Sequence, residues 1–319
     1  MGRVDGDAPV GDSLALQRDP VPTRRLSRKF GLALCTLLIS VGAGADGSRG
    51  DGGRHSLFEL HGKHNTVYLL GSIHVLRPKD YPLAPAVLEA YGSAKRVLME
   101  VNPDELTSAE VQAEMLAGAI LADGRTLEDV LGAGRYARAA TLAHEAGVDL
   151  SMFDQFAPWF AAEALSQVQL SQLNFAPESG VEMYFMGRAR SDGKSVAGLE
   201  TAHDQLSIFE GMPMDTQAAY LMSSLEQAHD LARDVDSMVD AWEHGDMPWF
   251  EREMQKEFGR DPRLFQTMLG ARNRKWVPQI EALLNDDVNY LVIVGTGHLV
   301  GPGSIIELLK KDGIGATQQ

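Results

Sequence analysis

Two segments far apart in the chain repeat one pattern, in which an apolar run is followed by glycine, two further residues and histidine. One ends in Gly71-Ser72-Ile73-His74 and the other in Gly295-Thr296-Gly297-His298. Short apolar runs rich in β-branched residues are typical of buried strands. In an open α/β sheet, ligands bind where the strands end, and glycine there lets the backbone turn sharply. The repeat therefore predicts that His74 and His298 lie at one edge of a common sheet.

The rest of the sequence alternates between strand-like and helix-like segments. Residues 56–60 and 66–70 flank a turn-rich spacer and predict a hairpin. Helical periodicity fills most of the chain and is nearly continuous over residues 215–285. This alternation predicts an α/β fold: a central mixed sheet with flanking helices and a helical insertion before the last core strand. The further strands are predicted at residues 96–101, 149–153, 195–199 and 290–295.

Glutamates follow two of the predicted strands. Glu100 ends the run RVLM, and Glu200 follows the strand at 195–199. Histidine and carboxylate are ligand types that a divalent metal accepts. A strand end is a costly place for a carboxylate unless another charge balances it. The pattern favours a metal site, and the alternative is that each of these residues is a polar strand cap facing water.

These segments resemble the TraB/PrgY/GumN family, in order along the chain from about residue 56 to 315. The residues that carry the resemblance are Gly71-Ser72-Ile73-His74, Glu100, Gly198-Leu199-Glu200-Thr201, Arg272-Asn273-Arg274 and Gly295-Thr296-Gly297-His298-Leu299-Val300-Gly301. The family is related to the Tiki metalloproteases, which depend on manganese or cobalt, and more distantly to haem-binding proteins. The resemblance implies one α/β domain over residues 46–319, with both G-x-x-H motifs around one site.

The resemblance also implies roles for individual residues. The metal ligands would be His74, His298, Glu100 and Glu200. Glu100 would serve as ligand or general base, and Arg272 would orient substrate or stabilise an oxyanion. The ion would be manganese or cobalt by preference, with zinc allowed. The remaining site residues would be Gly71, Gly295 and Asn273 for substrate binding, with Glu182 and His203 as secondary candidates.

The first 45 residues have the pattern of an export signal. A basic run at 24–29 precedes a mainly apolar segment of 12 residues at 30–41 and the small residues of 42–45. The apolar run is too short for an ordinary membrane span of about 20 residues. It predicts a periplasmic or secreted protein with no membrane span after cleavage; an uncleaved anchor is the alternative. Cys35, the single cysteine, permits neither an internal disulfide nor a cysteine-ligated metal site.

The net negative charge of the chain argues against some classes of binding partner. The 319 residues include 44 acidic and 29 basic ones, for a formal charge of −15. Such a chain is a poor candidate for binding nucleic acid, which requires clustered lysine and arginine. The sequence is best interpreted as an exported, metal-dependent, peptidase-like hydrolase acting on a peptide or small molecule. The alternative is a non-catalytic envelope protein that binds peptide or haem on the same fold.

Overall fold

A six-stranded mixed sheet forms the centre of the computed structural model, which describes residues 1–2, 53–258 and 262–319. The strands lie in the order β4-β3-β5-β2-β1-β6. β2, β5, β3 and β4 are mutually parallel, whereas β1 is antiparallel to both β2 and β6. The strand bounds are β1 Leu57–His61, β2 Thr66–Ser72, β3 Arg96–Met99, β4 Ser195–Gly198, β5 Tyr290–Gly295 and β6 Thr317–Gln318.

Helices flank the sheet, and the predicted insertion is confirmed because α8 to α13 lie between β4 and β5. A π-helical turn, Gln266–Gly270, joins α12 to α13. The helix bounds are α1 Pro85–Ser93, α2 Pro103–Leu106, α3 Ala109–Ala119, α4 Leu127–Leu131, α5 Ala133–Glu145, α6 Pro158–Gln172, α7 Val181–Asp192, α8 Ala202–Glu210, α9 Met214–Gln227, α10 Leu231–Glu243, α11 Met247–Phe258, α12 Pro262–Phe265, α13 Ala271–Leu283 and α14 Ile305–Lys311.

Strand β5 sets the level at which its neighbours end. Its first five residues are buried, as expected for a strand covered on both faces. On one side Ser72 pairs with Gly295, and on the other Met99 pairs with Ile293. The carboxyl ends of β2, β5 and β3 therefore meet at one edge of the sheet. His74, Glu100 and His298 follow the ends of β2, β3 and β5 and therefore lie at that edge. The predicted α/β arrangement is confirmed.

The strand predicted at residues 149–153 is wrong, because Leu150–Phe153 is a 3-10 helix. The Asp149 side chain accepts a hydrogen bond from the backbone N–H of Ser151, which caps the turn. The two buried residues, Leu150 and Phe153, are three apart and so fall on one side of a three-residue turn. A short apolar run without clear alternation is compatible with a strand or a helical turn, and here the Asp149 cap favours the helical turn. The two-residue strand β6 was not predicted.

The runs that predict the export signal, at residues 24–41, lie outside the described residues, as does Cys35. The predicted domain over 46–319 is described from residue 53 onward, apart from 259–261. No helix in the described part of the chain is both long enough and apolar enough to cross a membrane.

Helix α7 approaches the first histidine motif through Gly180. A Cβ atom on this glycine would lie only 2.2 Å from the carbonyl oxygen of His74. The backbone N–H of Val181 donates to the carbonyl of Ile73 at 3.3 Å. The missing side chain thus lets the first turn of α7, which carries Glu182, pack directly against the histidine loop.

We expect Gly180→Ala to lower the free energy of unfolding by about 1–3 kcal/mol, because the added methyl group has no room. The matched control is Gly187→Ala in the same helix, where a Cβ would meet nothing within 4 Å. That control should stabilise the protein by roughly 0.5–1 kcal/mol through helix propensity. Urea unfolding measures both, and equal effects would contradict the close packing at Gly180.

Candidate functional site

Arg272 lies at the centre of a buried charge cluster at the carboxyl edge of the sheet. Its Nη2 donates to Oε2 of Glu100 and to Oε1 of Glu200, each at 2.6 Å. Its Nε donates to both oxygens of Glu200, at 3.0 and 3.2 Å. The guanidinium stands over the ring of Trp276, 4.5 Å from the ring centroid. One cation from α13 therefore joins the glutamates that follow β3 and β4.

Glu100 is held by three donors. Besides Arg272, the backbone N–H of Gly295 donates to its Oε1 at 2.7 Å and Nε2 of Gln205 to its Oε2 at 3.2 Å. Burial would raise the pKa of Glu100, but Arg272 above all holds it well below the usual range. A general base works best with a pKa near the working pH. The environment of Glu100 therefore suits a permanently ionised ligand better than a base.

Glu200 faces Arg272 and does not line the cleft above the site. Burial outweighs the nearby guanidinium and raises the pKa of Glu200. The structure therefore gives Glu200 the position of an anchor for Arg272, behind the residues that a ligand would meet.

His298 is neutral and fixed in one tautomer. Its Nδ1 lies 2.5 Å from Oδ1 of Asn273, an atom that can only accept a hydrogen bond. Nδ2 of Asn273 donates to the carbonyl of Gly303 at 2.8 Å, which fixes the orientation of the amide. Nε2 of His298 is therefore the unprotonated nitrogen, 3.1 Å from Nη1 of Arg272 and 3.6 Å from Oε1 of Glu100. Burial, reinforced by Arg272, lowers the pKa of His298 to about 3.

His74 has the opposite charge state. Its Nδ1 lies 2.8 Å from Oε1 of Glu182, and Ser72 Oγ donates to the same oxygen. This contact pairs the imidazole directly with a buried carboxylate. Burial would lower the pKa of His74, but Glu182, with help from Glu100, raises it to about 9. A carboxylate behind an imidazole is also typical of metal-binding histidines.

Gly295 leaves open the space on which three of these side chains converge. A Cβ there would lie 3.2 Å from Oε1 of Glu100, 3.5 Å from Nε2 of His74 and 3.7 Å from Cδ2 of His298. The first two atoms are suitable donors to a divalent cation, whereas Nε2 of His298 is engaged by Arg272. No three His, Cys, Asp or Glu side chains among the described residues are already arranged around a metal position.

Two predicted site residues lie outside this centre. Gly71 packs closely, since its Cβ would lie 2.9 Å from Oγ1 of Thr296, and its carbonyl accepts a hydrogen bond from Trp242. His203 is exposed on α8 and pairs with Glu114. The structure brings together the other eight: His74, Glu100, His298, Arg272, Asn273, Glu182, Glu200 and Gly295.

A cleft of about 160 Å³ opens above the centre. Its floor is the sheet edge, and its walls come from α6, α8 to α11 and the π-helical turn. Three residues that were not predicted as site residues also contact the site: Gln205, Ser72 and Trp276. Ser72 lies inside a recognised motif, but Gln205 and Trp276 sit in ordinary helical sequence and carry no signal of their own.

The TraB/PrgY/gumN family model matches residues 56–318. This chain belongs to the TraB/PrgY/gumN family. Uncharacterized protein YbaP of Escherichia coli (strain K12) is 24% identical over 243 residues, covering 76% of this chain and 87% of its own. An uncharacterized protein of Treponema pallidum (strain Nichols) is 21% identical over 300 residues, covering 87% and 89%. No solved structure gives a significant match.

We expect Arg272→Met in this TraB/PrgY/gumN protein to cost about 3–5 kcal/mol of unfolding free energy, because it leaves buried carboxylates without their cation. The control is Arg138→Met, which removes an exposed ion pair with Glu226. Such surface pairs contribute only about 0–1 kcal/mol. Chemical denaturation compares the two variants, and similar losses would mean that the buried cluster does not stabilise the fold.

The neutral state of His298 predicts a loss of stability in acid. Its folded pKa is about 3, below the unfolded value of about 6.5, so only the unfolded chain gains a proton as the pH falls below 6.5. We expect wild type to lose about 1 kcal/mol per pH unit between pH 6 and 5 beyond any loss in His298→Asn. Asparagine at position 298 keeps an N–H donor near the place of Nδ1 but has no group that titrates in this pH range. Unfolding titrations at several pH values measure this, and parallel profiles would contradict it.

Proposed function

We propose that this protein is an exported, metal-dependent hydrolase with peptidase-like activity, acting at the space beside Gly295. The observation that carries the proposal is the convergence of Nε2 of His74 and Oε1 of Glu100 on that space. Glu182 backs the histidine, and the surroundings keep Glu100 ionised. An oriented imidazole and an ionised carboxylate are the donors that a divalent cation requires.

His74, Glu100 and His298 would hold the ion, with manganese or cobalt favoured and zinc allowed. Such an ion, when bound, polarises a carbonyl group and lowers the pKa of water. His298 would become available once its Nε2 and Nη1 of Arg272 separate, which requires the imidazole ring or the rigid guanidinium to shift. The proton on His74 must also leave before its Nε2 can act as a donor.

The other side chains would position the reacting groups. Asn273 keeps Nε2 of His298 unprotonated and facing the site. Arg272 lines the cleft and would offset negative charge that develops on a substrate oxygen. Gly295 leaves room for that oxygen to approach. Glu200 would hold Arg272 in place.

Export is supported by the signal predicted in residues 1–45 and would place the protein in the periplasm or outside the cell. A non-catalytic protein that binds peptide or haem is the competing function. The cleft volume of about 160 Å³ is below the range of roughly 300–1,000 Å³ typical of pockets for drug-sized ligands. The small volume favours a single side chain of a peptide over a whole haem as the group inside the cleft, so peptide binding without chemistry is the main alternative.

We expect about one manganese, cobalt or zinc ion per chain in native mass spectra recorded after exposure to each metal. The double variant His74→Ala/His298→Ala should retain none, while His203→Ala, which changes an exposed histidine outside the site, should bind like wild type. Circular dichroism confirms that each variant is folded. Absence of stoichiometric metal in the wild type would refute the metal-dependent mechanism.

The metal-loaded protein should also cleave members of a peptide library, and Glu100→Gln should reduce turnover by about 100-fold or more because it removes a charged donor from the site. A peptide-binding protein without chemistry would bind library members equally well in both forms and release no products.

A further inference from the structure

The floor and the walls of the cleft differ in the charge of their side chains. The charged or basic side chains that line the cleft, within the part of the chain that the structure describes, are His74, Glu100 and His298 on the floor and Arg272 bonded to Glu100 beside them. The walls are mainly apolar and otherwise neutral, with side chains from five helices and the π-helical turn. The walls therefore favour an uncharged, largely apolar group, although they also carry six neutral polar side chains, Ser166, Gln169, Gln205, Tyr220, Ser224 and Gln227.

The apolar side chains of the walls are themselves well buried. Phe209 and Met268 line the cleft, yet each is only 2% exposed. Met238 and Met254, at 5% and 9%, are nearly as buried. Such buried side chains form firm walls that limit the width of a group lying between them.

The volume indicates how large that group is. The cleft measures about 160 Å³. An engineered apolar cavity of about 150 Å³ in another protein binds benzene. A phenyl ring or an aliphatic side chain of similar size therefore matches the space beside the floor.

Gln205 places a hydrogen-bond acceptor without a partner beside that apolar space. Its Nε2 donates to Glu100, and an ionised carboxylate can only accept, so the other amide atom is fixed as the oxygen. This Oε1 is buried and has no hydrogen-bond partner among the described residues. A buried acceptor calls for a donor, and the N–H of a substrate amide can supply one after a small side-chain adjustment. An ester or a simple acyl chain cannot.

We propose that the cleft is a specificity pocket for one large, uncharged apolar side chain, and that the substrates are peptides carrying phenylalanine, leucine or methionine beside the cleaved bond. The cleavage rests on the proposed function, whereas the selective binding does not require it. In that cleavage the C–N bond breaks, the hydroxyl group of water joins the carbonyl carbon, and the remaining proton goes to the amine nitrogen.

Binding is tested first on the full purified protein without added metal. N-acetyl-phenylalanine amide is titrated by NMR against two matched probes, N-acetyl-alanine amide and N-acetyl-lysine amide. The phenylalanine probe should bind at least about tenfold more tightly than either of the others, since only its side chain fills the apolar space. Equal affinities, or preference for lysine, would overturn the proposal.

Filling the pocket locates the binding. Met238→Trp adds bulk to the wall and should weaken the phenylalanine probe by about tenfold or more. The control Met152→Trp makes the same change at a residue that is 67% exposed and outside the cleft, and should leave the affinity unchanged. Leu231→Phe, at a half-buried wall position, serves if the first variant does not fold. Unchanged affinity in a folded wall variant would overturn the proposal.

Failure of this proposal is distinguishable from failure of the proposed function. Selective binding that maps to the wall, with no metal-dependent turnover, would refute the hydrolase and keep the pocket. Turnover of peptides without regard to the size of the flanking side chain would keep the hydrolase and refute the pocket.

Discussion

The charge balance between one guanidinium and two buried glutamates is the interaction on which the site depends. Two ionised carboxylates so close in a dry environment would repel each other, and one would take up a proton. Arg272 keeps Glu100 ionised by bonding to it and to Glu200 at once, with Trp276 beneath its plane. Because Arg272 belongs to α13 and the glutamates follow β3 and β4, this balance also fixes the inserted helices on the sheet edge.

The two histidine motifs are alike in sequence but differ in charge. His74 faces the carboxylate of Glu182 and holds a proton at neutral pH, whereas His298 faces the amide of Asn273 and does not. A partner that is charged stabilises imidazolium, while a neutral amide oxygen only selects a tautomer. The site thus has one nitrogen that carries a lone pair at neutral pH and one that must first lose a proton.

The sheet and the inserted helices contribute different parts of the proposed chemistry. The parallel strands supply the polar floor, since their ends bring His74, Glu100 and His298 to one level. The helices before β5 supply Arg272 and the apolar walls. A floor built on strand ends is general to the fold, whereas the walls determine which group fits above it. In the proposed function, the inserted helices together with α6 therefore determine which substrate group fits.

The sequence by itself determined the α/β fold, the helical insertion and the shared edge of both histidine motifs. It could do so because alternating strands and helices produce parallel strands, whose carboxyl ends face one way. It did not resolve residues 149–153, where a local cap overrides a weak apolar pattern. Only the tertiary structure decided that Glu200 bonds to Arg272, that Glu182 lies against His74 and that His203 is exposed beside Glu114. Side-chain partners depend on how distant helices pack on the sheet, and periodicity along one segment contains no information about that packing.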